Sequence, residues 1–210
     1  MSEREIPYFG YEQRTKNKIL DVSIKLFALN GYNAVTMRDI AKAVGIKPGS
    51  LYNYYVGKEA LMEDVLSRFE QEYKSYFDWL IKENAKAKTL EEVMDNMFAE
   101  LLKVRELSTY YGISLLMKEQ FKYEAARTRL FRLIYEDSIN WMRADFDRLM
   151  AEGVVPRSDS RTIATVFMLC VLIGNEIRIH ESMDANPPLG CTEMYGNLKA
   201  FLTAVLRKGI

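Results

Sequence analysis

The sequence is short of several things, and each shortage narrows what the chain does. Its 210 residues include only two cysteines, Cys170 and Cys191, too few for a disulfide framework. Cys170 sits in an apolar stretch and reads as a small core residue, so the thiols are expected to be reduced. One histidine is present, His180. A metal site needs three or four convergent ligands, and neither an HExxH pattern nor a Cys/His cluster supplies them. No glycine-rich phosphate loop, nucleophile elbow or Cys–His pair occurs. The expectation is no metal, no cofactor and no enzyme. The longest apolar run, Ile163 to Gly174, is broken by Thr165 and followed by Glu176 and Arg178. A membrane span needs roughly 20 apolar residues, so this run reads as a buried helix. Met1 to Pro7 show no basic region leading into an apolar one, and a cytoplasmic chain without a membrane partner is expected. Net charge is lacking too: 29 basic residues balance 29 acidic ones. Spread evenly, that balance argues against a nucleic-acid partner.

What is present is helical periodicity, with the five prolines placed where helices start or stop. Residues 1–11, with Pro7 and Gly10, read as a loose arm. A first helix over Glu12–Leu29 carries Ile19, Val22, Leu26 and Phe27 on one stripe and ends at Asn30-Gly31. Thr36 with Asp39 resembles a capping box for a second helix that stops at Gly45. Pro48 opens a third, very short helix through Tyr54 or Tyr55, broken by Gly57. A long helix over Lys58–Lys86 presents Leu61, Val65, Phe69, Tyr73, Phe77 and Leu80 on one face. Thr89 and Glu92 cap the next, to about Glu106. Further segments cover Thr109–Lys118, Tyr123–Glu152, Asp159–Ser182 and Thr192–Lys208, with a loop over Met183–Gly190. The fold class is all-α.

The unit at residues 36–55 is a short helix, a glycine turn and another short helix. Ala41 and Gly45 are small where two helices cross, and Val44, Ile46 and Leu51 supply apolar contacts. This is the pattern of a DNA-binding helix-turn-helix, though a plain helical hairpin shares it. The charge distribution separates the two. Between Arg14 and Lys58 eight basic residues face only Asp21 and Asp39, a net +6, which leaves −6 for the remainder. Such a basic segment displaces counterions from phosphates.

Residues 14–62 closely resemble the N-terminal domain of the TetR/AcrR family of bacterial transcriptional regulators. The resemblance is carried by Arg14–Asp21, Leu26-Phe27-Ala28, Asn30-Gly31-Tyr32 and Val35-Thr36. It continues through Arg38–Ala41, Val44-Gly45-Ile46, Gly49–Tyr55 and Lys58–Leu61. It implies a three-helix DNA-binding head at residues 12–57 and a larger ligand-binding and dimerisation body at 58–210. It also implies that Thr36, Tyr52, Tyr54 and Lys58 contact phosphate. Side-chain chemistry adds Lys47 for a guanine edge and Asn53 for adenine, with Arg38 and Ser50 contributing. Ile40, Leu51 and Tyr55 read as packing. Two departures stand out. Tyr54-Tyr55 stand where the family has His-Phe, and Pro48-Gly49 offer no side-chain donors where bases are often read.

In the body, methionines and aromatics suit an adaptable apolar pocket. The candidates are Met94, Met97, Phe98, Tyr110, Met117, Phe121, Trp141 and Phe146, from a wider set with Tyr111, Met142, Phe167 and Met168. Ile163, Val166, Cys170, Ile173 and Ile177, with Leu198, Phe201, Leu202 and Val205, form stripes expected to pair two copies as a four-helix interface. The function expected from the resemblance is a homodimeric repressor on a palindromic double-stranded operator, released by a small apolar or aromatic effector. The alternative is a helical ligand-sequestering or protein-interaction module that has lost specific operator binding.

Overall fold

The computed structural model describes residues 11–103, 107–183 and 190–208, and every regular element among them is helical. The expected arm at 1–11 lies almost wholly outside the described residues, as does most of the loop 183–190. The helices are α1 (Tyr11–Asn30), α2 (Met37–Val44), α3 (Pro48–Tyr52), α4 (Lys58–Asn84), α5 (Leu90–Lys103) and α6 (Leu107–Glu119). They continue as α7 (Glu124–Arg129), α8 (Ser138–Ala151), α9 (Ser160–Met183) and α10 (Cys191–Lys208).

Local chemistry sets the boundaries. The Thr36 hydroxyl accepts from Asp39 N at 3.2 Å, and Asp39 Oδ2 accepts from Thr36 N at 2.9 Å, so the capping box before α2 closes in both directions. Gly45 ends α2 at φ 82°, a left-handed position that disfavours any side chain with a Cβ. Thr89 and Glu92 cap α5 in the same reciprocal way. The third helix closes at Tyr52, earlier than expected, although Tyr54 N and Tyr55 N still donate to Leu51 O.

The expected single helix over Tyr123–Glu152 is interrupted. Residues Leu130–Asp137 form a π-helical segment between α7 and α8, and Ser138 N donates to Leu133 O, five residues back. Ser138 Oγ donates to the same carbonyl at 2.6 Å and lies 2.8 Å from Tyr73 Oη, in the core. The six residues of the α4 stripe are all buried.

One apolar core runs from Ile19 in α1 to Leu206 in α10. Helix α1 packs chiefly on α6, α8 on α9, and α10 on α5, while α4 touches α1, α5, α6, α7 and α8. The helix from Ser160 to Glu181 is long and apolar enough to cross a membrane, and half of it is buried within this fold. The reading of 163–174 as a buried helix holds for one face of it. Ile163, Phe167, Met168 and Val171 face inward, but Val166, Leu169 and Ile173 are 38%, 52% and 59% exposed. Cys170 is likewise only half-buried, and both cysteines are free thiols.

The α4–α6 crossing depends on a missing side chain. A Cβ on Gly112 would lie 2.0 Å from the Phe69 ring, and that ring is itself 1% exposed. Gly112→Ala is expected to cost about 1–3 kcal/mol through overpacking, read as a lower urea midpoint with an unchanged m-value.

Candidate nucleic-acid interface and interior cavity

The short helices α2 and α3 hold one another through Ile40, Ala41, Val44 and Leu51, all buried. Their other sides turn outward. Thr36, Arg38, Lys47, Tyr52 and Asn53 are exposed, and Ser50, Tyr54 and Lys58 are half-buried. Tyr54 packs its ring on the core's edge. An open groove is lined by Val35, Thr36, Met37, Arg38, Tyr52, Val56, Gly57 and Lys58. The N-termini of α2 and α4 both adjoin it, and no side chain caps α4 at Gly57. The α4 N-terminus, lacking a side-chain cap, carries partial positive charge and unpaired N–H groups that favour an anion, whereas at α2 the capping box already supplies the Asp39 carboxylate.

Lys58 is also a structural tie. Its ammonium donates to Tyr32 O and Val35 O, each at 2.9 Å, and sits 4.3 Å from the Tyr32 ring centroid. It therefore ties the α1–α2 loop to the start of α4. Tyr55 is buried, and its hydroxyl donates to Asp64 at 2.7 Å; Lys16 pairs with the same carboxylate at 2.8 Å. Burial alone raises the Asp64 carboxyl, but the hydrogen bonds from Lys16 and Tyr55, with the Lys16 and Arg68 charges, outweigh it. The net position is below the ordinary carboxylate value.

Helix α4 reaches α1 again through Arg68, which donates to Asn17 O at 3.1 Å, Asp21 at 2.6 Å and Glu72 at 2.7 Å. Helix α6 reaches the far end of α1. Lys118 Nζ donates to Ala28 O at 2.7 Å, and Glu119 accepts from Tyr32 N at 2.9 Å.

The interior cavity of ≈ 200 Å³ opens where α4, α5, α6, α8, α9 and α10 meet. Of the eight candidate ligand residues, Met97 and Tyr110 line it. The other six do not line it. Met94 and Phe146 are fully buried packing. Phe98 lies behind the wall, its ring against Phe167 and Tyr195. Trp141 packs behind Phe77 at 4.7 Å. Met117 meets the Tyr135 hydroxyl, and Phe121 is 84% exposed. Residue type marks a side chain as apolar without saying whether it faces a void or a neighbour. Met142, Phe167 and Met168 of the wider set do line the wall, as do Glu72, Tyr73, Tyr76, Asn175 and Tyr195, which the sequence reading did not assign to it. The signal for Asn175 was present: an amide inside the most apolar helix. Burial raises the Tyr110 phenol and pushes Tyr73 and Tyr195 above the usual range, so all three remain neutral.

Among the described residues no group of three or more His, Cys, Asp or Glu is placed to hold a metal, and His180 is exposed. The expected pairing stripes divide. Ile163, Leu198 and Leu202 are buried within the fold, while Val166, Ile173 and, on α10, Phe201 at 58% face outward beside Leu169.

Residues 19–65 match the profile of a family described as "Bacterial regulatory proteins, tetR family". Over 54 residues the chain is 43% identical to the HTH-type transcriptional repressor KstR2 of Rhodococcus jostii, covering 26% of each chain. Over 65 residues it is 42% identical to the HTH-type negative regulator IcaR of the Staphylococcus aureus biofilm operon, covering 31% of each. The match thus spans about a quarter to a third of those relatives. Solved structures match along most of the chain. A TetR-family transcriptional regulator from Cytophaga hutchinsonii superposes with a TM-score of 0.67 at 14% identity, over 95% of this chain and 98% of that one. A protein from Saccharomonospora viridis, described as a transcriptional regulator and solved with choline, gives 0.71 at 16% identity, over 91% and 96%. At such identities the likeness is one of fold.

The Asp64 joint yields a pH dependence. Its folded pKa is depressed, so its stabilisation is complete above the unfolded value of about 4 and is lost as pH falls through the folded value. Asp64→Asn is expected to lower the urea midpoint at pH 7. The gap to the parent protein should narrow as pH falls below about 4, measured by circular dichroism.

Proposed function

This chain belongs to the tetR family of bacterial regulatory proteins, and from that premise we propose that it is a ligand-responsive, DNA-binding transcriptional regulator. It acts as a homodimeric repressor on a palindromic operator in the cytoplasm, released by a small apolar or aromatic effector. A regulator of this family is not an enzyme.

The observation that carries the reading is the outward face of α2 and α3. Arg38 and Lys47 stand exposed there within a segment of net +6, beside a groove flanked by two helix N-termini. Phosphate contacts by Thr36, Tyr52, Tyr54 and Lys58 position the head, and Lys47, Ser50 and Asn53 read bases from α3 and its end. The relatives matched over 54 and 65 residues are named as a transcriptional repressor and a negative transcriptional regulator, and a neighbour of like fold holds choline.

The outward apolar residues of α9 and α10 support pairing with a second copy. A twofold dimer places two heads on successive half-sites, which makes the operator palindromic. Effector response follows from connectivity. Helices α4 and α6 line the cavity and also hold α1 through Arg68, Lys118 and Glu119. A ligand that shifts either helix shifts the head. The sequestering alternative draws on Pro48 and Gly49, exposed at the start of α3 without side-chain donors.

Gel retardation against the chain's own upstream DNA tests the proposal, with a discrete, sequence-specific complex expected to persist at moderate salt. Retardation that is indifferent to sequence and vanishes with salt favours the sequestering alternative. Asn53→Ala is expected to relax preference at one base pair, about tenfold or more. Lys58→Ala should weaken all sequences alike. Even loss in both variants removes Asn53 from base reading.

A further inference from the structure

The cavity contains an unmet hydrogen-bonding requirement. Asn175 is 1% exposed and lines the wall. Its Nδ2 donates to Tyr110 O at 3.1 Å. That bond fixes the amide's orientation, because a carbonyl accepts only from the N–H side. Asn175 Oδ1 is then a buried acceptor with no partner. A buried polar atom left in this state carries a desolvation cost that a donor on a ligand removes.

The electrostatics of the wall select further. Among the described residues, Glu72 is the one charged residue lining the cavity. Arg68 pairs with it, but the same guanidinium also serves Asp21, so the cluster keeps an excess negative charge. Arg178 lies over the Tyr110 ring, 5.4 Å from its centroid, and reaches Glu181 at 3.9 Å; it is not part of the wall. Among the described residues, an anion entering here meets a carboxylate and no lining cation. Much of the remaining surface is aromatic or thioether, with Tyr73, Phe77, Phe167, Tyr195, Met142 and Met168 among its residues. Such faces accept a ring, or a cation against their π-electrons. The volume of ≈ 200 Å³ compares with roughly 150 Å³ for an apolar cavity that admits benzene, so the occupant is compact.

Resting on the effector-responsive reading above, we propose that the effector is a compact, uncharged or cationic molecule built on a single aromatic ring. It bears an N–H or O–H group that donates to Asn175 Oδ1. Carboxylates of the same size are refused.

Full-length protein is titrated with four probes of matched body: 2-phenylethanol, 2-phenylethylamine, phenylacetate and ethylbenzene, followed by calorimetry and tryptophan fluorescence. The alcohol and the amine are expected to bind at least tenfold more tightly than ethylbenzene, and phenylacetate more weakly than either. In Asn175→Leu the alcohol's advantage over ethylbenzene should disappear while ethylbenzene binding persists, which also reports an intact cavity. Asn175→Ala gives the same comparison should leucine disturb the Tyr110 side. Glu72→Gln should narrow the gap between the amine and phenylacetate. The proposal is overturned if phenylacetate binds as well as the alcohol. It is also overturned if the donor advantage survives in both Asn175 variants, or if no donor-bearing probe binds. All of this is read on protein free of DNA. Operator retardation is scored separately, so loss of the effector class and loss of the regulator reading are told apart.

Discussion

Helix α1 is closed at its carbonyl end by side chains of α6. Lys118 donates to Ala28 O, and the neighbouring Glu119, 5% exposed, accepts from Tyr32 N just beyond the left-handed Gly31. A cation is favourable at a helix C-terminus, where carbonyls lack partners. The buried carboxylate that follows it in sequence is stabilised by the backbone N–H it accepts from. Together these two residues make the DNA-facing head an extension of the body's core. The head keeps its own three helices, but the position of α1 is set by where α6 ends. With Arg68 making the corresponding tie from α4, the head is held at two places by the two helices that also face the cavity. The link between cavity and head is therefore short, made of hydrogen bonds with geometric limits, and built from groups that are costly to leave unpaired.

The head was legible in the sequence because its constraints are local. A capping box, a left-handed glycine and a proline at a first helical turn each act within a few residues, and Thr36, Gly45 and Pro48 do what their chemistry dictates. The α4 stripe was legible for a related reason, since periodicity over a long helix fixes a face. The cavity was not. Whether Met94 packs or Met97 faces a void is decided by which helix lies opposite, and nothing on α5 itself encodes that. Phe121 shows the limit from the other side: a large aromatic in a turn next to α6, left in solvent. The double role of Lys58 was hidden as well, because its carbonyl partners lie 26 and 23 residues away.

Zero net charge describes an average over two unlike parts. The +6 of residues 14–58 and the −6 elsewhere give a polar molecule whose field orients it during approach to a polyanion. Near any polyanion the acidic remainder is repelled while the basic segment is drawn in, so encounters in the wrong orientation are discouraged before contact forms. The Lys16–Asp64 pair spends one of those basic residues on the joint, which leaves the exposed groups of α2 and α3 to carry the attraction.

The π-helical segment between α7 and α8 amounts to one residue more than an α-helical register accommodates. Every side chain after it is turned by about 100° relative to an unbroken helix, the angle of one α-helical residue. Met142 faces the cavity and Ser138 meets Tyr73 because of that phase change. Read as a history, the segment has the geometry of a single inserted codon retained inside a helix. Its removal would leave α8 intact as a helix and turn a different set of side chains toward whatever the cavity holds.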